Sequence, residues 1–223
     1  MDGIIPASGY STRMRGMPKF LLPADDEYKT LLEIHIDQLS EVCDEIYLST
    51  RPELVPLIES LNFENKNLNI LSIETNTMSE TVLKTIEHSE SQSFMLVMPD
   101  TYFYGDQPYH SLNSNPKVCE LACWEIRDEQ RGKLGEVLFD DNLNVLQIID
   151  KKHENGFQHA WGALTFSRKL LKYINISDPH IGYAVKNALL SNEMVSGKIY
   201  KGEYYDCGTP SEYLDLLSRI LIK

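Results

Sequence analysis

The sequence predicts an α/β protein, three-layer α/β/α, built around a mixed, mainly parallel central sheet. Three observations carry that expectation. Short apolar runs rich in branched residues recur at 3–6, 45–49, 69–73 and 94–99, each of a length that suits a buried strand. Segments with helical spacing lie between them: Leu31, Ile34, Ile36 and Leu39, then Leu54, Leu57, Ile58 and Leu61, then Val82, Leu83 and Ile86. The regular alternation of strand and helix is the pattern of parallel strands joined by right-handed crossovers, with helices on both faces.

After Asp100 the pattern changes. Residues 118–126, 136–139, 145–149 and 160–166 read as strands with few helical segments among them, so this half is mixed. Asp140, Asp141 and Asn142 supply turn residues between two alternating runs and predict a hairpin. Helices return at 167–174, 182–190 and 210–222, the last opened by a Thr209 cap and Pro210 at the first helical position. No linker, repeat or low-complexity stretch divides the chain, which predicts one domain over residues 1–223.

Hydrophobic residues make up 42% and charged residues 24% of the chain, which is the composition of a globular protein and not of a disordered one. The formal charge of −12 argues against nucleic acid and anionic membranes as partners, because both need a basic surface. No apolar run has membrane-spanning length and the N-terminus lacks the features of a signal peptide, so a cytoplasmic protein is expected. Cys43, Cys119, Cys123 and Cys207 lack the paired spacing of a zinc site and read as buried thiols.

Open sheets of this kind bind ligands at the carboxyl ends of their strands. The loop after the first strand, "ASGYSTRMRGMPKF", therefore stands where a ligand would sit, and its small residues allow the main chain to come close. Backbone N–H groups there form an anion-binding concavity, to which Arg13 and Lys19 add charge. In an acidic chain such a local cluster is how a phosphate would be held. A tight turn with solvated basic residues is the plainer reading of the same glycine.

The longer string "IIPASGYSTRMRGMPKFLLP" resembles the signature of the sugar-1-phosphate nucleotidylyltransferases, in which the first strand is followed by a Gly-rich loop, an arginine and a Pro-Lys pair. The Rossmann-like fold of that family agrees with the layers predicted above. The resemblance implies that Ala7, Ser8, Gly9, Tyr10 and Ser11 wrap a nucleoside triphosphate, that Arg13 stabilises its phosphates, and that Lys19 acts at the reacting centre. Ser11 stands where the family usually has a second glycine. "VMPDTYF" resembles the strand-end motif whose aspartate holds Mg²⁺, here Asp100, and "YYDCGTPSEYLDLL" resembles the late motif with a second metal-binding aspartate, here Asp206. Met78, Ser79 and Glu80 of "TNTMSETVLK" occupy the base-reading position. Gly135, Asp150 and Lys151 of the 133–152 stretch match the sugar-binding half, with Asp150 and Lys151 where Glu-Lys is usual.

The resemblance thus implies a nucleotide-binding half at 1–110 and an acceptor-binding half at 111–223. The expected activity joins a nucleoside triphosphate to a sugar 1-phosphate, giving a nucleotide-sugar and pyrophosphate, with Mg²⁺ as cofactor; homo-oligomerisation is left open. Two alternatives share the fold. A phosphocholine-type cytidylyltransferase would hold a quaternary ammonium on aromatic rings, with Tyr102, Tyr104, Trp124 and Trp161 as candidates. A catalytically silent relative would bind nucleotide without turnover. Taken singly, Asp100 and Asp206 also read as caps, and Glu80 as a first-turn helix residue favoured by the macrodipole.

Overall fold

The computed structural model describes residues 1–61, 63, 67–150 and 156–221, with Asp150 described in its backbone alone. The first strand, β1 (Asp2–Ala7), is buried along its whole length and forms the middle of a nine-stranded sheet. It pairs in parallel with β2 (Ile46–Thr50) on one side and β4 (Ser93–Val97) on the other, and β3 (Leu68–Ser72) pairs in parallel with β2. Helices α1 (Leu31–Ser40), α2 (Val55–Ser60) and α3 (Met78–Ile86) make the crossovers. Thr30 and Glu33 close a reciprocal capping box at the start of α1, which satisfies donors that the first turn otherwise leaves open.

The three layers follow from strand alternation. Ile5, Leu48, Met95 and Val97 belong to one core cluster with Ile36 and Leu39 of α1 and Ile58 of α2. Ile4, Phe94 and Leu96 belong to another with Val82 and Ile86 of α3. Successive side chains of β1 therefore feed opposite faces, as the period of two requires.

The second half is antiparallel at its centre. β9 (His159–Ser167) runs antiparallel to β4 and to β6 (Cys119–Glu125), and its opening residues also pair with β7 (Gly135–Phe139). The hairpin of β7 and β8 (Val145–Asp150) forms as the turn residues predict, while β10 (Ser196–Ile199) extends β6 in parallel. Helix α4 (Gly182–Leu190) packs its Ala184, Val185 and Ala188 into the second core cluster. The sheet is mixed as expected, with its parallel pairs concentrated around β1. All four cysteines are free and buried.

Residues 167–174 were expected as a helix, and the chain instead makes a 3₁₀ segment, Arg168–Tyr173. Leu170 is its one fully buried side chain, so no amphipathic face rewards a continuous α-helix. The closing helix α5 spans Pro210–Leu221, and Ile222 lies outside the described residues. Sequence patterning missed β10 and a two-stranded ladder, β5 (Thr101–Gly105) against β11 (Gly202–Asp206). The ladder needs glycine at one end: Gly202 has φ +119°, and a Cβ there would lie 1.9 Å from the carbonyl oxygen of Tyr104.

Candidate functional site

The site grows from the carboxyl ends of β1 and β4. Past Ala7 the buried Ser8 hydroxyl donates to the carbonyl of Ser49 at 3.3 Å, which ties the loop to the end of β2. Ser11 then adopts the left-handed conformation, φ 49° and ψ 39°, and its carbonyl accepts from the N–H groups of Met14 (2.8 Å) and Gly16 (3.1 Å). Serine therefore makes the bend that a glycine would make freely, at a cost of about 1–2 kcal/mol. A short 3₁₀ turn, Thr12–Met14, buries Met14 and leaves Arg13 at its surface. Pro18 leads into a second 3₁₀ turn, Lys19–Leu21, whose Phe20 is buried. Phe20 anchors the segment that carries Lys19.

Lys19 forms an ion pair with Asp100, and both side chains are more than four-fifths buried. Asp100 follows β4 and precedes β5. Ladder pairing puts Asp206 opposite Thr101, and the N–H of Cys207 donates to the carbonyl of Asp100 at 2.8 Å. Thus two carboxylates more than a hundred positions apart share one rim. Burial, then the neighbouring charge of Asp100, push the Asp206 carboxyl up to about 7, while Lys19 and Arg13 pull it down. Gly208 marks the convergence: a methyl there would lie 3.0 Å from Asp206 Oδ1, 3.3 Å from Glu212 Oε2 and 3.4 Å from Arg13 Nη1.

Beneath this rim a buried network fixes the start of β5. His35 of α1 sits between the carbonyl of Thr101, 3.0 Å from Nε2, and the hydroxyl of Tyr109, 2.6 Å from Nδ1. Nε2 donates to the carbonyl, so Nδ1 accepts from the tyrosine. Burial lowers the His35 pKa to about 4, which keeps the ring neutral.

Two adjoining cavities open at the rim. The larger, about 520 Å³, is lined by residues 6–11, Lys19, Phe20, residues 75–78, Thr81, residues 98–100, Ser177 and Pro179. The smaller, about 180 Å³, takes in Arg13, Lys133, Gly135, Trp161, His180, Tyr204 and Asp206. Met78, Met98 and Asp100 line both, so the carboxylate stands at their junction. A large cavity with the 7–11 loop along one side, joined at Asp100 to a smaller one that Asp206 also lines, has room for two reactants that meet at the carboxylates.

The predicted residues divide accordingly. Ala7 to Ser11, Met78, Lys19 and Asp100 line the larger cavity, and Arg13, Gly135, Asp100 and Asp206 the smaller. Glu80 lines neither: its carboxylate accepts from the N–H of Asn76 at 2.9 Å and pairs with Lys84 at 2.9 Å, so it serves the start of α3. Ser79 is buried on the same turn and also lines neither cavity. Asp150 is placed by its backbone opposite Gly135, and Lys151 lies outside the described residues. Of the four aromatic candidates, Trp161 alone reaches the smaller cavity. Trp124 is fully buried among Phe103, Tyr200 and Tyr204, while Tyr102 and Tyr104 pack toward α5, so no aromatic cage forms from that set.

Sequence reading missed Lys133 and His180, whereas Thr75–Thr77 on the wall of the larger cavity belong to the string matched to the base-reading position. Lys133 had a signal, because "RGKLGE" places it two positions before Gly135. His180 had none, since only folding carries the end of the 3₁₀ segment across to the opening of α3, where the Met78 N–H donates to the carbonyl of Pro179 at 3.2 Å. Among the described residues no group of three or more His, Cys, Asp or Glu side chains forms a metal cluster. No helix among them is long and apolar enough to cross a membrane.

Comparison with known proteins bears on the fold and the family. A Sulfolobus acidocaldarius protein that carries the name mannose-1-phosphate guanyltransferase is 28% identical over 236 aligned positions, covering 99% of this chain. The chain spans 63% of that relative's length. Among solved structures, UDP-glucose pyrophosphorylase complexed with UDP-glucose superposes with a TM-score of 0.82 at 16% identity, over 99% of this chain and 98% of the other. The inositol-1-phosphate CTP transferase from T. maritima superposes with a TM-score of 0.80 at 16% identity, over 98% and 95%. These two likenesses concern the fold. The profile of MobA-like NTP transferase domains matches residues 3–175, the span that supplies the 7–11 loop, Lys19, Asp100 and most of both cavity walls, and the chain belongs to that family.

Proposed function

We propose that the protein is a sugar-1-phosphate nucleotidylyltransferase, joining a nucleoside triphosphate to a sugar 1-phosphate and releasing pyrophosphate. One observation carries this reading: Lys19, Asp100, Asp206 and Arg13, from four separate parts of the chain, converge where the two cavities meet. The name of the Sulfolobus relative supports a sugar phosphate as acceptor. The missing aromatic cage removes the feature that favoured phosphocholine.

In this reading the triphosphate occupies the larger cavity, with the 7–11 loop along its phosphates and Met78 on its wall. Residues 1–110 form the nucleotide half and 111–223 the acceptor half. The acceptor occupies the smaller cavity beside Gly135 and Trp161, and the resemblance assigns Asp150 and Lys151 to it as well. An oxygen of the acceptor phosphate attacks the α-phosphorus in line, a P–O bond forms, and the bond to the β-phosphate oxygen breaks as pyrophosphate departs. No strong base is needed, because a phosphomonoester is mostly dianionic above its second pKa of about 6. The obstacle is charge: two unit charges at contact repel by about 4 kcal/mol at an effective dielectric near 20. Lys19, held against Asp100 in the free protein, is placed to exchange that partner for the α-phosphate and the incoming acceptor. Arg13, on the wall of the smaller cavity beside Asp206, is assigned to the phosphate charge that gathers at the junction, and Arg15, exposed on the loop, takes no part.

The donor set fits Mg²⁺. Two carboxylates at the cavity junction, with substrate phosphates to complete the shell, match its preference for few protein ligands. Asp100 and Asp206 would hold the ion, which when bound supplies charge neutralisation to the phosphates. The test is a matrix of triphosphates against sugar 1-phosphates, read as pyrophosphate release with and without Mg²⁺. Release from at least one pairing, lost in Lys19→Ala with the fold intact, is expected. Stabilisation by triphosphates without release from any pairing would identify a silent binding protein instead.

A further inference from the structure

We infer that Tyr10 is the platform on which the nucleobase of the bound triphosphate lies, held in place before binding by Arg51 and Glu74. The inference rests on the larger cavity being the nucleotide site and goes further by assigning the base end. Tyr10 lines that cavity and is 51% exposed, high for so large a ring. The Arg51 guanidinium lies 4.5 Å from its ring centroid, and its hydroxyl donates to Glu74 Oε1 at 3.1 Å. With a cation on one face and the hydroxyl tethered, the ring is immobilised and its opposite face remains for a flat partner.

Sheet order says which part of a nucleotide that partner is. The strands run β4, β1, β2, β3. The phosphate-facing groups gather at the ends of β1 and β4, where Lys19 meets Asp100. Tyr10 reaches the other way, to Arg51 just past β2 and Glu74 just past β3. Neighbouring strands lie about 4.8 Å apart, so the clamp stands on the order of 10 Å from the phosphate end. That is the span of a ribose and its base. Arg51 supports an assignment beyond ordinary packing: it is 8% exposed, its Nη1 donates to Glu53 at 2.7 Å, and its Nε is buried without a partner. Burying a guanidinium with an open donor carries a free-energy cost, which the pair with Glu53 offsets in part, and the buried cation fixes the ring.

The experiment compares wild type, Tyr10→Phe and Tyr10→Leu for binding of Mg²⁺ complexes of four nucleoside triphosphates and of inorganic tripolyphosphate, which has no base. Tyr10→Leu is expected to weaken the best triphosphate by about tenfold or more, the scale of one lost base–aromatic stack, with tripolyphosphate binding unchanged and Tyr10→Phe, which keeps the ring but loses the Glu74 tether, intermediate. In wild type, NOEs should join base protons to the Tyr10 ring, a measurement that needs no variant. Equal weakening of triphosphate and tripolyphosphate, unchanged triphosphate affinity in Tyr10→Leu, or base NOEs only to other residues would each overturn the platform while leaving the nucleotide site standing. Failure of wild type to bind any triphosphate would overturn both.

Discussion

The loop at residues 8–19 and the carboxylate pair of Asp100 and Asp206 border the same pair of adjoining cavities but are assembled by opposite means. The loop is contiguous, and its shape follows from local choices: a small-residue turn, a left-handed Ser11 and two 3₁₀ turns. The pair exists only because β5 and β11 meet, which brings together positions 100 and 206. A contiguous anion site tolerates change elsewhere in the fold, whereas a pair made by a ladder fails whenever the ladder does. The contrast can be tested by attacking each side separately.

Charge removal at the junction should have the largest effect. Lys19→Ala or Asp206→Asn is expected to reduce turnover by at least about 10²–10³-fold, comparable to the loss of a key electrostatic group elsewhere, measured under conditions where each variant is folded. Retention of near-normal turnover by either variant would break the assignment of the rim. Next comes the ladder itself. Gly202→Val must relieve an approach to the Tyr104 carbonyl at a backbone angle that L residues avoid, and a loss on the order of 3 kcal/mol is expected together with a higher Mg²⁺ requirement. By contrast Gly9→Ala meets nothing within 4 Å, so it should leave stability within about 0.5 kcal/mol while weakening triphosphate binding. Equal destabilisation by the two substitutions would erase the distinction between loop and ladder.

Acid should also act on the ladder side. His35 is neutral in the fold, with a pKa lowered to about 4 by burial against an ordinary value of 6.5. The unfolded chain therefore binds its proton first, and the contribution of His35 is complete above pH 6.5 and declines as the pH falls toward 4. The full loss is about 3 kcal/mol. A urea series from pH 7.5 to 4 should show this slope in wild type and a shallower one in His35→Gln. The smallest effect belongs to Glu80→Gln, which loses an exposed pair with Lys84 and part of a cap. It should lower stability slightly and leave the preference among triphosphates unaltered; an altered preference would return Glu80 to the base site.

This contrast also explains what could be read from the chain. The strands around β1 and the loop that follows it were legible because buried parallel strands are continuous apolar runs and the loop is a single string. The β5–β11 ladder was not, because "TYFYG" and "GEYYD" are short, aromatic and far apart, and their pairing is set by burial against Trp124 and by Gly202. Asp100 and Asp206 were singled out by resemblance to a family, not by any local pattern. Glu80 shows the opposite case: the macrodipole reading matches its place at the start of α3, where local capping uses its carboxylate. Trp161 and His180 come to the smaller cavity from β9 and the turn before α4, a proximity that no spacing along the chain encodes.

The ring stack behind the ladder has an optical consequence. Trp124 lies nearly parallel to Phe103 of β5, 4.8 Å away, and stacks on Tyr204 of β11 at 5.5 Å, so the carboxylate rim is laminated to the main sheet. Of the chain's two tryptophans this one is sealed, while Trp161 borders the smaller cavity. The protein thus carries a built-in pair of emitters, one a steady internal reference and the other a label-free reporter of any molecule that enters the smaller cavity.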